Sequence, residues 1–146
     1  MRDIFRLFLT AVTLSAASAA MADDLGDPKA GKKVYRECSD CHQVGEGARH
    51  RVGPHLNGIF GRKAASHEGF KYSKAMIRAG EDGLEWQTET LDSFVKSPRS
   101  VTRGTRMSFP GLRSQKDRRD LIAYLRLFSE ESTGRPDVEP TLLPED

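Results

Sequence analysis

The chain has 146 residues, one domain's worth, and its 37% hydrophobic content is low for a domain held by aliphatic packing alone. With 23 Lys and Arg against 21 Asp and Glu, the formal charge of +2 excludes a chain that is polybasic or polyacidic throughout. That balance hides a polarity: residues 28–128 hold 20 bases and 11 acids, a net of +9, whereas residues 129–146 carry six acids and only Arg135 as a base. A basic globule with an acidic tail implies an anionic partner, be it acidic protein, lipid head groups or nucleic acid, and the charge acts first on encounter rate.

Residues 1–22 open with Arg2 and Arg6, run apolar from Leu7 to Leu14 and close on Ala20, Met21 and Ala22. This is the three-part pattern of a secretory signal, with cleavage expected after about Ala22. The apolar run is shorter than the roughly 20 residues a bilayer crossing needs, and no later stretch is long enough to span. A soluble mature protein outside the cytoplasm is therefore expected, which removes nucleic acid as a partner.

Asp27 and Pro28 read as a helix N-cap and first helical residue, and Ala30, Val34 and Cys38 predict one short helix running into the first cysteine. Residues 45–66 are rich in Gly, Pro, Asn and bases without any period, so an ordered loop is expected. Ser73 to Ala79 before Gly80, and Thr88 to Ser97 before Pro98, predict two further short helices. Residues 98–113 read as loop again. In the last helix Ser114 and Asp117 form a capping pair, Leu121, Tyr124, Leu125 and Phe128 share one face, and the end is expected near Ser132. The Pro-rich, acidic residues 133–146 read as a flexible tail. With no repeat and no strand pattern, the division is a signal over 1–22, an all-α domain over 23–132 and a tail.

Cys38, Cys41 and His42 form a Cys-x-x-Cys-His motif. Structural zinc needs four ligands, but no further cysteine exists, and His50, His55 and His67 offer only a loose His50/His55 spacing. A redox dithiol belongs after a strand in a βαβ unit, of which there is no sign. A disulfide across so small a ring removes little unfolded-state entropy and leaves His42 unused. Covalent haem uses all three residues: two thiols add across two vinyl groups, and the adjacent imidazole lies where it can ligate iron. One axial position then remains. Met76 sits in a helical stretch and reads as a core filler. Met107 lies in a polar loop bounded by Gly104 and Pro110 and is the candidate sixth ligand. Histidine with methionine raises the potential and leaves no open site, so electron transfer without bond chemistry is expected.

With these residues in place, the chain resembles the class I cytochromes c, close to the bacterial cytochrome c2 and mitochondrial type. The resemblance covers about residues 27–130 and rests on "CSDCH", "VGPHLNGIFGRK", "GFKYSKA", "LEW", "GTRMSFPG" and "DLIAYL", in family order and spacing. It implies a small cytochrome c fold of short helices and ordered loops wrapped around one covalent haem c. It also implies that the Pro54 carbonyl accepts from the free N–H of His42, and that Arg62, Tyr72 and Trp86 surround the buried propionates. Thr105 matches a hydroxyl near the propionate and the methionine, Phe109 an aromatic at the haem edge, and Gly31, Leu121 and Tyr124 a crossing of the first and last helices. Phe94 and Met76 depart from the family, standing where many relatives have tyrosine and asparagine.

The expected function is that of a soluble periplasmic electron carrier and no enzyme, working as a monomer between acidic redox proteins. A reductase or dehydrogenase would be the donor and an oxidase or reaction centre the acceptor, with transient contact to membrane-bound complexes. Arg49, Arg51, Arg99, Arg103, Arg106, Arg113 and Lys116 are the candidate docking bases. Two readings compete: a peroxidase-like enzyme or gas sensor in which Met107 is displaced, and a dedicated cytochrome subunit of a dehydrogenase.

Overall fold

Asp27 opens the first helix by the predicted device: its extended backbone turns its carboxylate back to accept from the Lys29 N–H at 2.8 Å, and Pro28 takes the first helical position. The computed structural model describes residues 25–130; the expected signal over 1–22 and tail over 133–146 lie outside the described residues. Among the described residues six helices follow one another: α1 (Pro28–Val34), α2 (Arg36–Ser39), α3 (Lys74–Glu81), α4 (Thr88–Lys96), α5 (Pro98–Val101) and α6 (Gln115–Glu130). Among the described residues there is no strand, only an isolated antiparallel bridge between Lys63 and Glu85, and no helix is long and apolar enough to cross a membrane.

The expected single helix into Cys38 is divided at Tyr35. Its N–H still bonds to the Gly31 carbonyl at 2.8 Å, but the Cys38 N–H reaches back only three residues, to the Tyr35 carbonyl at 2.8 Å. This tighter turn separates α1 from α2, in which Cys38 lies. α1 lies across α6 at Gly31, where a Cβ would stand 1.9 Å from the Asp120 carbonyl oxygen. The Asp27 N–H donates to Asp120 Oδ1 at 2.8 Å, and Lys116 Nζ reaches Oδ2 at 2.7 Å. Burial pushes the Asp120 carboxyl up, yet these two donors outweigh it and hold it below the ordinary range.

α3 starts as predicted, with Ser73 Oγ accepting from the Met76 N–H at 3.1 Å, but it runs through Gly80 rather than stopping before it. Gly80 is a packing position: a Cβ there would meet the Ala64 carbonyl oxygen at 2.1 Å. The loop above it is stitched to residues 84–86 by Ala64 N–H to the Leu84 carbonyl (2.8 Å), Gly61 N–H to Trp86 (2.9 Å) and Trp86 N–H to Arg62 (2.9 Å). α5 is a helical turn inside the expected loop, started by buried Pro98 at its first position. α6 starts where Ser114 Oγ accepts from the Asp117 N–H at 3.2 Å.

Leu121 and Leu125 of α6 are almost wholly buried and gather Leu91, Phe94 and Val95 of α4 with Tyr35, Ile59, Trp86 and Leu112 into one core. Aromatic pairs extend it, Tyr35 to Tyr124 at 5.4 Å and Trp86 to Phe94 at 4.9 Å between ring centres. Within this shell lies a buried charge. Arg118 donates from Nε to Asp92 Oδ1 (2.8 Å) and from Nη1 to the Leu112 and Arg113 carbonyls (3.0 and 2.9 Å), fastening the end of the 102–113 loop to α4 and α6. Removing Arg118 leaves the Leu112 carbonyl buried and unpaired while half-exposed Asp92 turns to water, so Arg118→Met is expected to cost about 2 kcal/mol in chemical denaturation. A midpoint equal to that of the parent would show that the pairing does not stabilise the loop.

Candidate haem site

Cys38 lies within α2, and the Cys41 and His42 N–H groups both return to the Cys38 carbonyl, at 3.1 and 2.9 Å. One folded turn thus presents two thiols and an imidazole. Both cysteines are free and half-buried. Burial, then Glu37 and then Cys41, push the Cys38 thiol up to about 11, so it is protonated at neutral pH. A redox or metal-binding cysteine needs the opposite shift. Among the described residues, the one grouping of three metal-ligating side chains contains neither cysteine nor His42, so a closed zinc centre at the motif lacks its remaining ligands.

His42 is held from several sides. Nδ1 lies 2.6 Å from the Pro54 carbonyl oxygen. That carbonyl can only accept, so the proton sits on Nδ1 and the Nε2 lone pair is left for a metal. Burial lowers the His42 pKa against the lift from the Pro54 bond, keeping the ring neutral. Gly53 lets the chain pass against the imidazole, since a Cβ there would lie 2.3 Å from His42 Cε1. The Tyr35 hydroxyl donates to the His42 carbonyl at 2.9 Å. Two free thiols beside an oriented, neutral imidazole fit covalent haem.

Met107 is half-buried against the core, in a loop whose turn is set by its own N–H bonding to Thr105 Oγ1 at 3.2 Å. Its neighbour Arg106 donates to the Lys71 carbonyl. Met76, by contrast, is buried in the core. The 61–64 to 84–86 pairing brings Arg62 and Trp86 side by side, and Arg62 Nη1 donates to the Asn57 carbonyl at 2.9 Å. Tyr72 joins them: burial raises its hydroxyl pKa, and the Arg62 charge opposes the rise. Trp86 is buried, while Tyr72 and Phe109 pack half-buried against the core. Phe94 and Met76 both fill apolar space, so the two departures replace polar groups with packing.

All seven candidate docking bases are exposed. Arg99 and Arg103 line one cleft with Thr105. Lys116 differs from the rest in spending its charge on Asp120 at 2.7 Å. Residues given no role by the motifs also shape the site: Tyr35 through His42, Gly53, inside a quoted motif, through its missing side chain, and Arg118 through the loop that carries Met107. The packing of Gly53 against His42, eleven residues back, had no local signal. Nothing in the sequence around Arg118 marked it as a buried clamp.

The sequence model of the cytochrome c family matches residues 28–128 of this chain. Cytochrome c2 of Afifella marina is 49% identical over 109 residues, covering 75% of this chain and 88% of that protein. Cytochrome c-554 of Methylosinus trichosporium is 44% identical over 128 residues, covering 88% of this chain and 95% of that protein. Among solved structures, cytochrome c2 from Rhodospirillum Centenum matches with a TM-score of 0.69 at 36% identity, over 71% of this chain and 99% of that one.

Proposed function

The chain belongs to the cytochrome c family, and from that premise we propose that it is a soluble periplasmic electron carrier in which His42 and Met107 would ligate the iron of its haem. Electron transfer through one covalent haem c, without substrate chemistry, is the work of this family. The bound group supplies a one-electron ferric–ferrous couple.

The observation that carries the reading is the 2.6 Å contact between His42 Nδ1 and the Pro54 carbonyl, which orients the ring and makes Nε2 a better donor. Cys38 and Cys41 would hold the porphyrin at its vinyl positions, and the thioether of Met107 would close the remaining side. Arg62, with the hydroxyl of Tyr72 and the indole N–H of Trp86, would meet the propionates, whose burial needs donors and a counter-charge. Thr105 shapes the Met107 turn, and Phe109 would cover the haem edge. A site closed on both faces excludes small molecules, so the reduced protein is expected to take up no carbon monoxide. Ready uptake would move the sensor or enzyme reading forward.

Arg49, Arg51, Arg99, Arg103, Arg106 and Arg113 would steer encounter with acidic faces of a donor and an acceptor, and Lys116, already paired, would add least. The second-order rate of reduction by an acidic partner complex is expected to fall about tenfold or more between low and high salt, as screening shortens the reach of the charges. A rate independent of salt, measured by stopped flow, would remove the docking role.

A further inference from the structure

The chain has four histidines. One is His42, and the other three, from two stretches of the long connection between α2 and α3, converge at a single place: His50, His55 and His67 each present a ring nitrogen within 4.8 Å of the others. The His55 and His67 rings meet edge to face at 4.0 Å between centres, and His50 lies 5.0 Å from His55 and 4.6 Å from His67. We propose that His50, His55 and His67 form a binding site for one divalent transition-metal ion of the imidazole-seeking class, zinc or copper.

The hydrogen bonds sort the ring nitrogens. His50 Nε2 lies 2.8 Å from the Glu68 carbonyl oxygen, which can only accept, so the proton is on Nε2 and the lone pair on Nδ1. That lone pair now receives only a long 3.2 Å contact from the His55 N–H. A carbonyl holding the outer N–H of an imidazole is the usual support of a metal-ligating histidine. His55 Nδ1 is buried without a hydrogen-bond partner, an arrangement that costs free energy and that a metal would relieve.

The protonation states agree. Burial, Arg62 and the two neighbouring rings bring His67 down to about 4, and burial, His50 and Arg62 lower His55, so both are neutral ligands at neutral pH. Metal–nitrogen bonds of about 2.0–2.1 Å put tetrahedral nitrogens about 3.4 Å apart, so closure needs ring rotations of about an ångström. Arg62, the fixed cation felt by His55 and His67, works against a second positive charge, and three ligands leave further positions to water. The site is therefore expected to bind more weakly than a closed structural zinc centre. Its occupant would tie residues 50–55 to 67–68 on the chain segment that carries Arg62.

The test is calorimetric titration of zinc chloride into the oxidised holo-protein in a non-chelating buffer at about pH 7.5, above the ordinary imidazole pKa. One equivalent is expected to bind and to raise the thermal midpoint. His55→Asn and His67→Asn, each with an unchanged haem spectrum to certify the fold, are each expected to weaken binding by at least about tenfold. Absence of saturable binding at millimolar zinc, or affinity retained in either variant, would overturn the proposal.

Discussion

Met107→Ala is expected to change the reduced protein from one that ignores carbon monoxide to one that binds it in full, while the haem stays attached through Cys38 and Cys41. The thioether is the only candidate ligand in the 102–113 loop, and that loop is built independently of it. Thr105 Oγ1 caps the turn, Arg118 clamps the end at Leu112 and Arg113, and the Leu112 N–H bonds to Val95 at 2.9 Å. Truncating Met107 thus removes the proposed ligand without dissolving its support. The oxidised spectrum is expected to lose the weak methionine-to-iron charge-transfer band and to gain high-spin character, and the potential to fall, because methionine opposite histidine favours the reduced state. Survival of that band in the variant would assign the sixth position to another residue.

Gly31→Ala is expected to be the most damaging small change in the fold. An alanine in a helix is ordinarily about 1 kcal/mol better than glycine. Here the added Cβ would stand 1.9 Å from the Asp120 carbonyl oxygen and 2.8 Å from Tyr124 Cβ, so α1 and α6 must separate. Separation also strains the Asp27 to Asp120 hydrogen bond and loosens Tyr35 from Tyr124. Overpacking against backbone outweighs the propensity gain, and a net loss of about 3 kcal/mol is expected. For a domain of this size that is on the order of 10–20 °C in the thermal midpoint of the holo-protein. A midpoint within a degree or two of the parent would mean that the crossing accommodates a methyl group, and that Gly31 is no packing requirement.

The two changes separate two kinds of information. Met107 stood out in the sequence because a thioether has no reason to lie among loop polar groups unless something binds it. Gly31 entered only through the family resemblance, and its demand became visible where Asp120, 89 residues away, presses a carbonyl against it. The histidines show the same contrast. By spacing alone, His50, His55 and His67 offered only a loose His50/His55 pair, yet the chain around Glu68 brings all three together.

Local rules decided what lies within a few residues. Asp27 with Pro28, Ser73, and Ser114 with Asp117 start their helices where predicted, because a cap is a hydrogen bond across two or three residues and needs no tertiary partner. The Cys-x-x-Cys-His motif was legible for the same reason: its chemistry depends on one turn. The family, its all-α fold and its covalent haem followed from motifs of this kind read in order.

Tertiary structure decided the rest. The packing of Gly80 against the Ala64 carbonyl, the clamp of Arg118 on Asp92 and the close approach of Gly53 to His42 all depend on groups brought close by packing. A glycine looks the same in sequence whether it ends a helix or admits a neighbouring carbonyl, and an arginine looks the same in solvent or in the core. Periodicity and caps record the energy of nearby residues; close approach and buried pairing record the energy of distant ones, which only the folded chain makes visible.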